Sequence, residues 1–188
     1  SSSAASDVYK RQVLTGKQLF YDARDDRLAA LDYMSCASCH NEGGEDGRVW
    51  DFTGVGEGLR NTITLEGRAG TGHGDLHWSA NFDEVQDFEA QIRSFAGGLG
   101  LMDNADFNSG TRSEPLGDPK TGLSADLDAL AAYIESLDTL PISPHRPSSG
   151  NFSSDAEAGA QLFSSAGCDS CHSLPLLTDS SDAIGLHD

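Results

Sequence analysis

Cys36-Ala-Ser-Cys39-His40 and Cys168-Asp-Ser-Cys171-His172 are the stretches on which the reading of this sequence turns. Each has two cysteines separated by two residues and followed at once by a histidine. Together they use all four cysteines of the 188-residue chain. Thiols at this spacing match the two vinyl groups of haem, and the adjacent histidine then lies under the iron as proximal ligand. Zinc would require two distant pairs to share one tetrahedral site. A redox dithiol has no need of a histidine at the same place twice. The expectation is therefore two covalently attached haem c groups, anchored by Cys36, Cys39, Cys168 and Cys171 and ligated by His40 and His172. No cysteine remains for a disulfide framework.

Working outward, the residues before each motif are alike. Gly16-Lys-Gln-Leu19-Phe20 precedes the first, and Gly159-Ala-Gln-Leu162-Phe163 precedes the second. This weak repeat predicts two units that each begin with a helix and run into a haem motif. Helices are expected over 13–23, 82–95, 124–137 and 155–166. The second carries Val85, Phe88, Ile92 and Phe95 at steps of three and four, with Asn81 and Glu84 placed as a capping box. The third carries Leu123, Leu127, Leu130, Ile134 and Leu137 on one stripe, with Ser124 as N-cap and Asp126 and Asp128 at the positive end of its dipole. Residues 1–12 read as a non-native or disordered tail and are set aside. Residues 13–140 form the first domain and 141–154 (PISPHRPSSGNFSS) a proline- and serine-rich linker. Residues 155–188 form a second, truncated haem-binding unit.

Hydrophobic residues make up 37% of the chain and glycine numbers 21. Two porphyrins, each a large apolar plate, would supplement cores this poor in side chains. The stretch 41–81 is long, glycine-rich and weakly periodic, which suits backbone wrapped closely around a cofactor. A net charge of −18 argues against nucleic acid and anionic lipid and favours basic partners. No apolar run has the length of a membrane span. Haem attachment through this motif normally takes place outside the cytoplasm, so a periplasmic or extracellular location is expected.

Iron takes a sixth ligand unless its second face is left open for substrate. For the first haem the candidates are His77, His73 and Met102; for the second, His187 and His145. Histidine lowers the potential and methionine raises it. Arg48, Arg60 and Arg68 fall within the wrap, where a guanidinium fork suits haem propionates. Trp50 and Trp78 are placed to donate an indole N–H there or to stack at the ring edge. Ordinary packing is the alternative for each of these. Glu89 would be the acid/base if the first haem reduced peroxide. A solvated helix face is the plainer reading of Glu84, Asp87 and Glu89.

The order of these pieces resembles the bacterial di-haem cytochrome c peroxidase family and related di-haem c-type cytochromes. The residues that carry the resemblance are Gly16 to Phe20 before the first motif, Leu59-Arg60-Asn61-Thr62 after it, Leu76-His77-Trp78 ahead of an acidic helix, and Ala158-Gly159 leading to the second motif. The resemblance implies an all-α fold: a cytochrome c-like domain plus a second, incomplete cytochrome c-like unit, with long glycine-rich loops wrapping haem. It implies electron transfer between redox partner proteins, or reduction of hydrogen peroxide at one haem fed through the other. Residues 151–188 are too few to enclose a haem. The second haem is therefore expected at an edge, covered by sequence absent from this chain or by another copy, as in a homo-oligomer or a filament that would align haems.

Overall fold

The computed structural model describes residues 2–67, 72, 74–147, 149–174 and 177–178, with side chains from residue 5 onward. Regular structure is mainly helical, and the chain divides into two compact units, residues 1–139 and 140–188.

In the first unit, helix α1 (Ser2–Tyr21) crosses helix α4 (Ala125–Ser136). The crossing needs Gly16: a Cβ there would collide with the carbonyl of Ala129. Helix α1 starts well before Val13, so residues 2–12, read from sequence as tail, are helical, and residues 5–12 lie exposed on it. Helix α4 begins as its sequence predicts. Ser124 is extended at the N-cap and its Oγ accepts from the Leu127 N–H at 3.3 Å, while Asp126 and Asp128 occupy the first turn. Of its stripe, Leu127, Leu130 and Ile134 are buried and Leu123 is exposed.

Leu19 and Phe20 lie side by side on α1 and serve two cores. Phe20 joins Leu76, Phe82, Val85, Leu130, Tyr133 and Ile134, and Cys36 and Ala37 pack against this cluster. Leu19 joins Leu28, Ile92, Leu101, Met102 and Leu127, flanked by Phe107.

The single helix expected over 82–95 is instead a 3-10 turn, Val85–Asp87, followed by α2 (Phe88–Ser94). Its capping box is Glu84 with Asp87, not Asn81 with Glu84. The physical reason is that the Asn81 side chain is engaged by His77. A short α3 (Asn104–Phe107) follows. The all-α expectation also misses an antiparallel pair, β1 (Val49–Phe52) with β2 (Gly58–Asn61), which sets Trp50 opposite Arg60.

The loop before α4 is tied down by carboxylates. Lys120 is wholly buried and ion-paired with buried Asp87. Glu84 accepts from the backbone N–H groups of Lys120 and Thr121, and Asp128 from that of Gly122 and from the Gln86 amide. Gly43 has φ +84, and a Cβ there would press on the Leu137 side chain, so the turn after the first motif fits the end of α4 only with glycine.

The second unit contains α5 (Ser154–Ser165), N-capped by Ser153, whose Oγ accepts from Ala156 N–H at 3.2 Å. Among the described residues of this unit no apolar side chain is buried. No described helix is long and apolar enough to cross a membrane.

Candidate haem sites

The two cysteine motifs fold into the same turn. Cys36–Ser38 and Cys168–Ser170 are each one 3-10 turn. In the first, the Cys36 carbonyl accepts from Cys39 N–H at 3.3 Å and His40 N–H at 2.9 Å. In the second, the Cys168 carbonyl accepts from Cys171 N–H at 3.3 Å and His172 N–H at 3.0 Å. A 3-10 turn eclipses residues i and i+3, so each pair of cysteines sits on one side of its turn, with the histidine next in line. The entrances differ. Ser35 opens the first turn with a reciprocal bond to Ser38, whereas Gly167 opens the second at φ +76.

Whether these residues fit haem is decided by their chemistry. All four cysteines are free thiols. Burial pushes the Cys36 thiol up to about 11, so it is protonated at neutral pH. Burial also lowers the His40 imidazole below the usual histidine value, against the backbone of Gly44 and Ile63 and the charge of Asp46, which favour its proton. A neutral imidazole is the form that binds iron. His40 Nδ1 is buried without a hydrogen-bond partner, a cost of roughly 1–3 kcal/mol for a polar atom left unsatisfied. At His172, Nδ1 lies 3.0 Å from the carbonyl oxygen of Leu177. A carbonyl only accepts, so Nδ1 carries the proton and Nε2 keeps a free lone pair. Phe163 stands 6.1 Å from the His172 ring, centroid to centroid. Both sites fit a covalently held haem ligated by histidine.

The surroundings of the first motif sort the other candidates. The His77 side chain is only 4% exposed. Its Nδ1 is 2.9 Å from Asn81 Oδ1 and its Nε2 is 2.9 Å from Gln91 Nε2. The Gln91 amide donates, so His77 is a neutral ring with its proton on Nδ1 and its lone pair facing Gln91. Burial likewise holds it below the ordinary histidine range. Its ring stacks on Phe82 at 5.0 Å and meets Trp78 at 4.3 Å, and the residue has φ +76. His77 thus has both nitrogens engaged, by Gln91, which the sequence did not single out, and by Asn81, which it marked only as a helix cap. The i, i+4 spacing of His77 and Asn81 was the available signal.

Met102 is buried in the core of Leu19, Leu28 and Leu127, not in the cluster that Cys36 packs against. Glu89 is not on a solvated face: it is fully buried. It accepts from Arg93 Nε at 2.7 Å and from the backbone N–H groups of Leu101 and Met102 at 2.9 and 3.1 Å. Arg93 returns a bond to the Met102 carbonyl and stacks over Phe107. Asp87 is likewise buried against Lys120.

Trp50 donates its indole N–H to the Asp46 carboxylate and Trp78 donates to the Asn61 carbonyl. Arg60 pairs with Glu57, which also accepts from Ser79. Arg48 is exposed and bonds Asp46 through its backbone N–H. In the second unit His145 is exposed. Arg68, His73 and His187 lie outside the described residues.

Residues 10–97 match the model of the di-haem cytochrome c peroxidase family. None of the curated proteins matches the chain. Among solved structures, hydrazine synthase of Kuenenia stuttgartiensis, pressurized with 20 bar xenon, is similar at 24% identity and a TM-score of 0.50. The match covers 91% of this chain and 52% of that one. This likeness is one of fold, and the present chain spans about half the length of that relative. Residues 10–97, which hold the first motif, are thus similar to the di-haem cytochrome c peroxidase family.

Proposed function

We propose that this protein is a di-haem c-type cytochrome that passes electrons between redox partners outside the cytoplasm. The observation that carries the reading is the recurrence of one turn, with free thiols and an adjacent histidine, at residues 36–40 and 168–172. Haem bound there supplies one-electron chemistry. Cys36, Cys39, Cys168 and Cys171 would hold the two groups as thioethers, and His40 and His172 would supply a nitrogen to each iron. His172 is already held in the required tautomer by Leu177.

Peroxide reduction is the second reading, favoured by the family match over residues 10–97. It needs an acid/base beside an open iron face. Glu89 is a poor one here, since three donors occupy its carboxylate and no surface of it is exposed. Peroxide turnover by the holoprotein, fully oxidised and half-reduced, separates the two. Electron transfer predicts low-spin irons and no donor-dependent turnover. A high-spin haem with rapid turnover would establish the enzyme.

The reading extends to how the second haem is covered. Gly16, Leu19 and Phe20 on α1 receive α4. Two of their counterparts on α5 face open space: a Cβ at Gly159 would meet nothing within 4 Å, and Leu162 is 67% exposed, while Phe163 is half-buried. Leu174 and Leu177 beside His172 are also exposed. We take this face to be completed by a helix packed as α4 packs on α1, supplied by another copy of the chain in an oligomer or filament. A monodisperse monomer holding both haems intact would overturn that extension.

A further inference from the structure

The loop that follows the first motif is gathered on one carboxylate. Asp46 accepts from the Thr62 hydroxyl at 2.7 Å, from the Arg48 backbone N–H at 3.0 Å and from the Trp50 indole N–H at 3.0 Å. Thr62 is buried. Its bond to Asp46 closes the base of the β1–β2 hairpin, beside Thr62 N–H to the Arg48 carbonyl at 3.4 Å and Leu65 N–H to the Gly43 carbonyl at 2.7 Å. The His40 imidazole lies against the backbone of Gly44 and Ile63. Gly44 stands two residues before Asp46, and Ile63 follows Thr62. The two ends of the Asp46–Thr62 bond therefore adjoin the two backbone segments that meet the His40 ring. No hydrogen bond joins the carboxylate to that ring, since His40 Nδ1 has no partner. What reaches the motif from Asp46 is its charge.

That charge is held in place. Burial opposes ionisation of Asp46, and the bonds from Thr62, the Arg48 backbone and Trp50 outweigh it, keeping the carboxyl below the ordinary aspartate value. The anion acts on both Cys39 and His40, an anchor and the iron ligand of one motif. Arg48 acts on Cys39 in the opposite sense. Its side chain is exposed, and it bonds Asp46 only through its backbone N–H.

We propose that Asp46 tunes the first haem: its negative charge beside His40 favours the ferric over the ferrous iron and holds the reduction potential of that haem down. The proposal rests on the electron-transfer reading and assigns a residue that sets its driving force. Reduction adds one electron to iron(III) and gives iron(II), so the oxidised haem carries one more positive charge. A neighbouring anion stabilises that state more.

The test is spectroelectrochemical titration of the full-length holoprotein. D46N is expected to raise the potential of one haem and leave the other unchanged. The rise corresponds to about threefold to tenfold in the reduction equilibrium, or about 30–60 mV at about 59 mV per decade for one electron. It should persist in a C168A/C171A background, which assigns it to the first haem, and shrink at raised ionic strength. D46E, which keeps the charge, should stay near the wild-type potential. R48Q leaves the bonds to Asp46 in place and removes the opposing charge, so it should lower the same potential. A D46N protein with unchanged potentials, or D46N and D46E proteins that shift alike, overturn the proposal; the second result would mean that the hydrogen bonds matter and the charge does not. Should D46N shed the first haem, R48Q decides, and an R48Q potential equal to wild type overturns the proposal. A wild-type chain that carries no covalent haem, or whose haems are not reversibly reduced, overturns the electron-transfer reading itself, a result distinct from failure of the tuning.

Discussion

At the scale of single residues, the fold depends on a few polar side chains that the core cannot spare. Ser124 satisfies an N–H at the head of α4. Replacing it with alanine is expected to cost about 1 kcal/mol, read as a lower urea midpoint with haem content unchanged. Lys120 and Asp87 form a buried ion pair. K120M leaves the Asp87 carboxylate buried without its cation, and a loss of roughly 3–5 kcal/mol is expected. The double variant K120M/D87N should recover most of it, since it leaves no buried charge and keeps an oxygen to accept from the Asp83 and Glu84 N–H groups; equal destabilisation of single and double variants would show that the pair is not the cause. Neither residue was legible in the sequence. A lysine in a polar loop reads as solvated, and only the packing of that loop against the 85–87 turn reveals it as interior. Glu89 was misread for the same reason: helical spacing identifies a face, but a half-buried arginine partner and two loop N–H groups decide what that face meets.

At the scale of elements, the repeated Gly-x-Gln-Leu-Phe pattern holds the most information. It correctly located the helix before each motif, and the heads of α4 and α5 followed from their serine caps. What it did not reveal is how differently the two copies are used. Gly16 is pressed against Ala129, whereas Gly159 stands open. G16A is therefore expected to destabilise the first unit sharply, because backbone must move apart at the α1–α4 crossing. In an isolated chain G159A is expected to stabilise α5 by about 1 kcal/mol, the helix-propensity difference alone. If α5 receives a helix in an assembly, the same substitution should weaken that assembly. Thermal melts together with sedimentation at several concentrations check both halves. The helix over 82–95 was legible in its apolar spacing, but its first turn was not. His77 takes Asn81 away from capping, and Glu84 and Asp87 cap a tighter turn in its place. The β1–β2 pair escaped notice because its four-residue strands show no clean alternation: β1 is exposed along nearly its whole length.

At the scale of the molecule, the two units are unequally furnished. The first has two apolar clusters, with Cys36 packed against one of them. The second exposes both cysteines and the motif histidine, His172, and buries no apolar side chain among the described residues. Motif spacing made the candidate haem sites legible from sequence, because thioether chemistry would fix both residue type and separation. The candidates for sixth ligand were not legible, because a histidine or methionine announces nothing about its neighbours. His77 is engaged at both nitrogens by side chains, and Met102 is held in the other core. The central claim is that both motifs carry covalent haem, and it is tested most directly by mass spectrometry of the denatured chain after expression with cytochrome c maturation. The account predicts two haem adducts that survive denaturation, one of them lost in C168A/C171A and the other in C36A/C39A. A wild-type chain with no adduct, or with a single adduct that C168A/C171A leaves in place, would contradict it.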